Sequence, residues 1–468
     1  MALKAYFFYN LHQQTPCYKM KKYLKYIGFL ILIIVGYFGY DTYQKLDLIS
    51  GFSAKSVASC HFIDNRNLIY IQKNDNDINL IDLAKNKISE SEKYASASVY
   101  GLKTRKAIYR DGLGSTLIVG DFDASKPFYL PKRTVIKNNL AFPYGHQEPK
   151  DTVFKNIDYN LLKSTVENAF DTKNQNLKRS RAVLVIYKNK IIAEKYADGY
   201  NYKSMLLGWS MTKSLTATYF GILQKQSKFD INKPAPFYEW HDNDRKVITT
   251  NDLLHMNSGL EWDEDYDKIS DVTKMLFLSP DMTQSQLVKK LVGKPNQTWN
   301  YSSGTTNLLT KIISYQFKTQ QECTDFWYTS LIDRIGMNSM IVEQDMAGNF
   351  VGSSYGWATA RDWAKFGLLY LHKGNWNGDQ VFDESWEKYV RTPTNTSNGK
   401  YGAHFWLNQD QYFKDAPKEM YSCSGYQGQK ILIFPNHDLV IVRFGLKEAE
   451  QGFDFNGLIK GILKSIKQ

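Results

Sequence analysis

Apolar and polar positions are arranged in three different ways along this 468-residue chain. Near the N-terminus an apolar run occupies positions 27 to about 40, behind Lys19, Lys21, Lys22 and Lys25. From about 50 to 150 the apolar residues come in short clusters, at 67–72 and 115–119. Gly, Asn and Asp bound these clusters, a pattern that predicts short strands and turns. The stretch 126–150 carries Pro127, Pro131, Pro143 and Pro149 and reads as a connector. A third regime starts near Asp158, where Leu162, Val166 and Phe170 recur every four residues and predict a helix. Two β-rich runs come next, at 182–186 and 191–196, separated by Lys188, Asn189 and Lys190; Asn189 suits a tight hairpin turn. Their counterpart lies near the other end, where 430–434 and 439–444 flank Pro435, Asn436 and His437, ahead of a helical pattern at 458–466. Between these β ends the chain reads as helical from about 240 to 390. Strands at both ends with helices between them predict an α+β fold whose terminal strands share one antiparallel sheet. The divisions suggest three units: 1–45, a small β-rich segment at 46–150, and a larger domain at 151–468.

The basic flank before the apolar run is an export signal, and the positive-inside rule sends the chain beyond the run outward. The run is short for a span. No small-x-small cleavage site lies after it, and Tyr37, Phe38 and Tyr40 fit poorly near a cleavage pocket. The expectation is an uncleaved signal anchor, with cleavage as the alternative and Met20 as a candidate start. That places the chain as a single-pass protein of a bacterial inner membrane, its large domain facing the periplasm or outside. The net charge of +12 comes from scattered Lys rather than a basic stripe with interleaved aromatics, so nucleic acid is not an expected partner. Cys17, Cys60, Cys323 and Cys423 form no C-x-x-C pair, and the eight His make no H-E-x-x-H. No metal is expected, and one disulfide is open beyond the apolar run without a choice of partners.

The candidate chemistry sits at Gly208-Trp209-Ser210-Met211-Thr212-Lys213, which leads into a helical pattern. Positions i and i+3 share a helix face, so Ser210 and Lys213 lie side by side at its N-terminus. A serine hydroxyl needs a base to take its proton, and a desolvated lysine at a positively polarised helix end can be neutral and serve. Amide N–H groups at that end can bind an oxyanion. A lone Ser-x-x-Lys also has a bland explanation, an N-cap serine beside a solvated lysine. A competing spelling, Gly352-Ser353-Ser354-Tyr355-Gly356, matches the G-x-S-x-G elbow. It lacks a preceding core strand and a later Asp…His pair.

Three further segments add weight to Ser210: 248–260, ending Asn257-Ser258-Gly259-Leu260; 295–304, containing Tyr301-Ser302-Ser303; and 355–369, containing Ala360-Arg361-Asp362-Trp363. In that order and spacing, residues 155–468 resemble the β-lactamase-related serine hydrolases. That family includes class C β-lactamases, D-aminopeptidases, carboxylesterases and aminohexanoate-oligomer hydrolases. A looser likeness, through Phe52-Ser53-Ala54-Lys55 and Gly112-Leu113-Gly114, extends to the preceding segment. The resemblance implies a β-lactamase/transpeptidase-like fold and assigns Ser210 as acylated nucleophile, Lys213 as its activator and Tyr301 as a proton relay. It also puts the edge-strand motif at Tyr426-Gln427-Gly428, with the amides of Ser210 and Gln429 as oxyanion hole. Trp209, Ser303, Tyr426 and Gly428 are then expected to border the substrate, and no cofactor is implied. Ser303 stands where lactamases carry Asn, and Tyr426 where they carry Lys or His. The missing cation argues against β-lactams, which present a carboxylate, and favours small esters or amides. The alternatives are a peptidoglycan-directed D-peptidase or β-lactamase, and a non-catalytic penicillin-binding-like sensor.

Overall fold

The computed structural model describes residues 23–30, 43–121, 123, 128–135, 137–145, 147–172, 177–448 and 452–467. Most of the apolar run at 27–40 lies outside them, and 23–30 are helical and exposed. Among the described residues no helix is long and apolar enough to cross a membrane.

The segment before the large domain departs from the expected run of strands. It opens on a helix at 43–64 (α1). Leu46, Ile49, Ala54, Val57, Ala58 and Cys60 are buried along it. Its periodicity is hard to see because Ser50, Gly51, Ser53 and Ala54, small residues of low hydropathy, take part in the packed face. A second helix, α2 (Leu68–Lys73), replaces the strand expected at 67–72. Asn67 decides this, its side chain accepting the Tyr70 amide at 2.8 Å as an N-cap. A short apolar run alone does not distinguish helix from strand. The β content comes after it as a meander of β1 (Lys85–Ser89), β2 (Tyr94–Val99), β3 (Leu102–Arg110) and β4 (Gly114–Leu117).

The large domain begins with α3 (Tyr159–Asn168), capped by Asp158, and the hairpin of β5 (Ser180–Tyr187) and β6 (Lys190–Tyr196). Lys188 and Asn189 both have positive φ, as a two-residue hairpin turn requires. Then come β7 (Met205–Leu207), α4 (Met211–Lys225), α5 (Thr250–Leu254), α6 (Asp271–Leu278), α7 (Gln284–Leu287), α8 (Ser303–Ser314) and α9 (Gln320–Trp327). The short strands β8 (Ile341–Val342) and β9 (Gly356–Thr359) join β7 in a small sheet. After α10 (Ala360–Leu371), a small hairpin of β10 (Asn375–Trp376) and β11 (Asp379–Gln380), and α11 (Glu384–Val390), the chain returns as β12 (Trp406–Leu407), β13 (Tyr421–Gly425), β14 (Gln429–Phe434), β15 (Leu439–Gly445) and α12 (Phe455–Ser465).

Strand order in the main sheet is β12-β13-β14-β15-β5-β6, antiparallel throughout, so both ends of the domain meet at the β15–β5 pair. Every residue of β5 is buried, and its side chains alternate between two cores. Val183, Val185 and Tyr187 pack with the apolar faces of α3 and α12. Ala182, Leu184 and Ile186 pack with α4 and α10. The sheet is therefore covered on both faces, the α+β arrangement expected from the sequence. A third core joins α1 and the meander to the domain through Trp209, Trp262, Met275, Tyr355 and Trp357.

Candidate active site

Ser210 occupies the N-cap of α4, at the end of the turn that leaves β7. Gly208 bonds through its amide to the Gly356 carbonyl at 2.8 Å, pinning that turn to β9. Trp209 comes next at φ 47°, a left-handed conformation costing a bulky L-residue about 1–3 kcal/mol. The surrounding packing maintains it: Trp209 meets Phe52, Tyr355 and Tyr426. The Ser210 hydroxyl makes no cap bond, so the bland N-cap reading does not hold.

Lys213 lies one turn along and is 1% exposed, the opposite of a solvated surface lysine. Its Nζ donates to Ser210 Oγ at 2.9 Å, Ser303 Oγ at 2.8 Å and the Ser353 carbonyl at 3.0 Å. Burial pushes the ammonium down to about 8, against the pull of the Glu264 carboxylate 4.0 Å away. The G-x-S-x-G segment thus supplies a backbone carbonyl. Ser353 and Ser354 are both fully buried, their hydroxyls paired at 2.9 Å.

Tyr301 precedes α8, its ring 4.9 Å from Lys213 Nζ and packed on Tyr401 and Trp406. Burial, with Glu264 adding to it, pushes the phenol well above its ordinary value against the pull of a hydrogen bond with Ser210. Tyr301 therefore stays protonated. Glu264 is the group that sequence reasoning missed. It accepts from the Ser303 amide at 2.8 Å, from the Ser303 hydroxyl, and from Trp262 Nε1 at 2.5 Å. The acidic run Asp263-Glu264-Asp265, just past the Asn257-Ser258-Gly259-Leu260 segment, was the available signal. A cleft of about 360 Å³ opens over Ser210, Glu264 and Tyr301, with Trp406 and Phe413 among its aromatic walls.

The third side of the cleft is formed by the end of β13. Gly425, the last residue of β13, passes so close to the turn at Gly208–Ser210 that a Cβ there falls 2.0 Å from the Gly208 carbonyl and 3.2 Å from the Ser210 amide. Ser424, Gly425 and Tyr426 line the cleft. Gln429 lies on β14 as the ladder partner of Gly425, and its side chain bonds the Tyr426 and Gly445 carbonyls instead. Gly428 packs against Lys447 and Arg443. Gly425, not Gly428, is therefore the glycine of this stretch that lies against the Ser210 turn, with Tyr426 following it on the cleft wall. Two other expected substrate contacts sit elsewhere. Ser303 is fully buried between Lys213 and Glu264, and Trp209 packs behind the turn.

The sequence matches the Beta-lactamase family over residues 166–452, more than half of the chain. Solved structures of the same fold include a Bacillus anthracis protein assigned as a 6-aminohexanoate-dimer hydrolase, 19% identical, TM-score 0.55, covering 69% of this chain and 86% of that one. A family VIII carboxylesterase is 13% identical, TM-score 0.52, covering 68% and 100%. A penicillin-binding protein homologue from Caulobacter crescentus is 12% identical, TM-score 0.51, covering 68% and 100%. By its sequence match and its architecture, this chain belongs to the β-lactamase family of serine hydrolases.

Proposed function

We propose that the protein hydrolyses small esters or amides through an acyl-enzyme on Ser210. The observation that carries this reading is the buried Lys213 ammonium, 2.9 Å from Ser210 Oγ and pushed down to about 8. Near neutrality a useful fraction of Lys213 is uncharged and able to take the Ser210 proton as Oγ bonds to the substrate carbonyl carbon. The resulting oxyanion is held by the amides of Ser210 and Tyr426. Tyr301, protonated, donates to the departing oxygen or nitrogen and recovers a proton from Lys213, so the bond to the leaving group breaks without net charge. Water then attacks the acyl-enzyme by the same proton path in reverse, releasing the acid and restoring Ser210. The aromatic walls suit apolar acyl groups.

p-Nitrophenyl acetate and butyrate turnover by the full chain, beside Ser210→Ala, tests the reading. Turnover that falls to background in the variant supports it, and equal turnover in both sinks it. A second reading, a peptidase on cell-wall D-peptides or a β-lactamase, is favoured by one observation. Lys430, cross-strand from Ser424, lines the cleft and donates to Ser424 Oγ at 3.0 Å. An ammonium is thus present on the cleft wall, where the sequence alone suggested none, and a substrate carboxylate can use it. Rapid nitrocefin turnover in a parallel assay favours this second reading. The basic-flanked apolar run at 27–40 supports a tether that holds the domain outside the inner membrane; release of the full chain by carbonate washing argues against it.

A further inference from the structure

We infer that Phe52, on α1 of the N-terminal segment, is a positioning residue for the oxyanion hole. The inference rests on the hydrolase reading above and gives that segment a part in it. In that reading the two amides at the oxyanion site belong to Ser210 and Tyr426, and one side chain touches the supports of both. Trp209 precedes Ser210 directly, and its ring meets Tyr426 edge-on at 5.5 Å and 86°. A displacement of the Trp209 ring therefore moves the nucleophile turn and the end of β13 together. The backbone of Trp209, at φ 47°, does not hold this position by local preference, so its packing must.

Two of the aromatic neighbours that hold Trp209, Tyr355 and Tyr426, come from the large domain. The third comes from outside it. Phe52 stacks on Trp209 at 6.4 Å and 22°, and is itself held by Phe277 of α6 at 5.4 Å. Less than one helical turn further along α1, Lys55 fixes the register of this contact. Its Nζ reaches Glu343 at 2.5 Å and Ser59 at 2.8 Å and lies 4.1 Å over the Tyr355 ring, the same Tyr355 that touches Trp209. The Glu343 carboxylate also accepts from the Ser115 amide and Trp357. An arrangement needed only to bury α1 would not require a stack on the residue before the nucleophile.

The test compares Phe52→Ala, Phe52→Tyr and Phe62→Ala in the full chain, with Ser210-dependent ester turnover in the unmodified protein as reference. Phe62 stacks on Tyr109 of the meander at 5.2 Å, so its loss loosens the same segment without touching Trp209. Phe52→Ala is expected to lower kcat on the order of tenfold to a hundredfold with KM little changed, as small misplacements of reacting groups do. Affinity for phenylboronic acid, whose tetrahedral adduct uses the same amides, should fall with kcat. Phe52→Tyr keeps the ring and should keep kcat; Phe62→Ala should lower Tm and leave kcat alone. An unchanged kcat in Phe52→Ala, a change confined to KM, or an equal loss in Phe62→Ala overturns the inference. An unmodified protein without Ser210-dependent turnover overturns the hydrolase reading first, and this inference with it.

Discussion

Lys213 is almost wholly buried with three hydrogen-bond acceptors, and that burial, opposed by the Glu264 carboxylate, sets the pH at which the site can work. In the proposed mechanism the uncharged amine is the base, so kcat/KM for an ester should rise with pH and level off above about 8. A pH–rate profile reads this directly, and a flat profile from about pH 6 to 9 rules Lys213 out as the base. The Glu264 carboxylate opposes the shift, so Glu264→Gln should move the rising limb to lower pH. A limb that moves up instead means Glu264 acts mainly by orienting Ser303. Ser210, Lys213 and Tyr301 were legible because helix geometry and motif spacing place them whatever the rest of the chain does. Glu264 was not, because a carboxylate on an irregular loop has no period to betray it. Its partner Ser303 read only as a missing Asn.

Among the elements, β13 carries the tightest constraint. Gly425→Ala puts a methyl 2.0 Å from the Gly208 carbonyl, so β13 and the nucleophile turn must part. Activity should be lost and stability lowered by about 1–3 kcal/mol, measured by ester turnover and thermal melting; a variant with unimpaired turnover means the strand is not held where described. The same contact separates two stretches that look alike in sequence. Cys423-Ser424-Gly425 and Tyr426-Gln427-Gly428 both end in glycine within one hairpin, and only the approach of β13 to α4 says which faces Ser210. The β5–β6 and β14–β15 hairpins were readable from their β-rich runs and the turn residues between them. Helix α1 was not, because close packing lets alanine and serine do what the sequence pattern expects of leucine. Each of the described cysteines, Cys60, Cys323 and Cys423, is free and buried, with the thiol pushed up to about 12, so the disulfide left open by the sequence is not formed among them.

At the scale of the molecule, the N-terminal segment is built into the domain by a buried ion pair, Lys55 with Glu343. Removing one partner of such a pair leaves a charge in the core, so Lys55→Met should cost about 3–5 kcal/mol in denaturant unfolding. A loss below about 1 kcal/mol means the ammonium is not what joins the two parts. The residues of the looser likeness, Lys55 and Gly114, converge on this one carboxylate, which is why they stood out in sequence before their purpose was visible. Their meeting point, Glu343, is far away in the chain and carried no signal of its own. The central β15–β5 pair has a consequence of another kind. It joins Leu439 to Tyr187. The middle of the sheet therefore cannot close until the chain from Leu439 onward has been synthesised. Closing a loop of about 250 residues costs roughly 5 kcal/mol in chain entropy before any contact repays it. Such long-range pairing makes for slow folding. A nascent chain of this topology therefore passes through the synthesis of everything between Tyr187 and Leu439 without its central sheet, with the β5–β6 hairpin waiting for a partner still to be made.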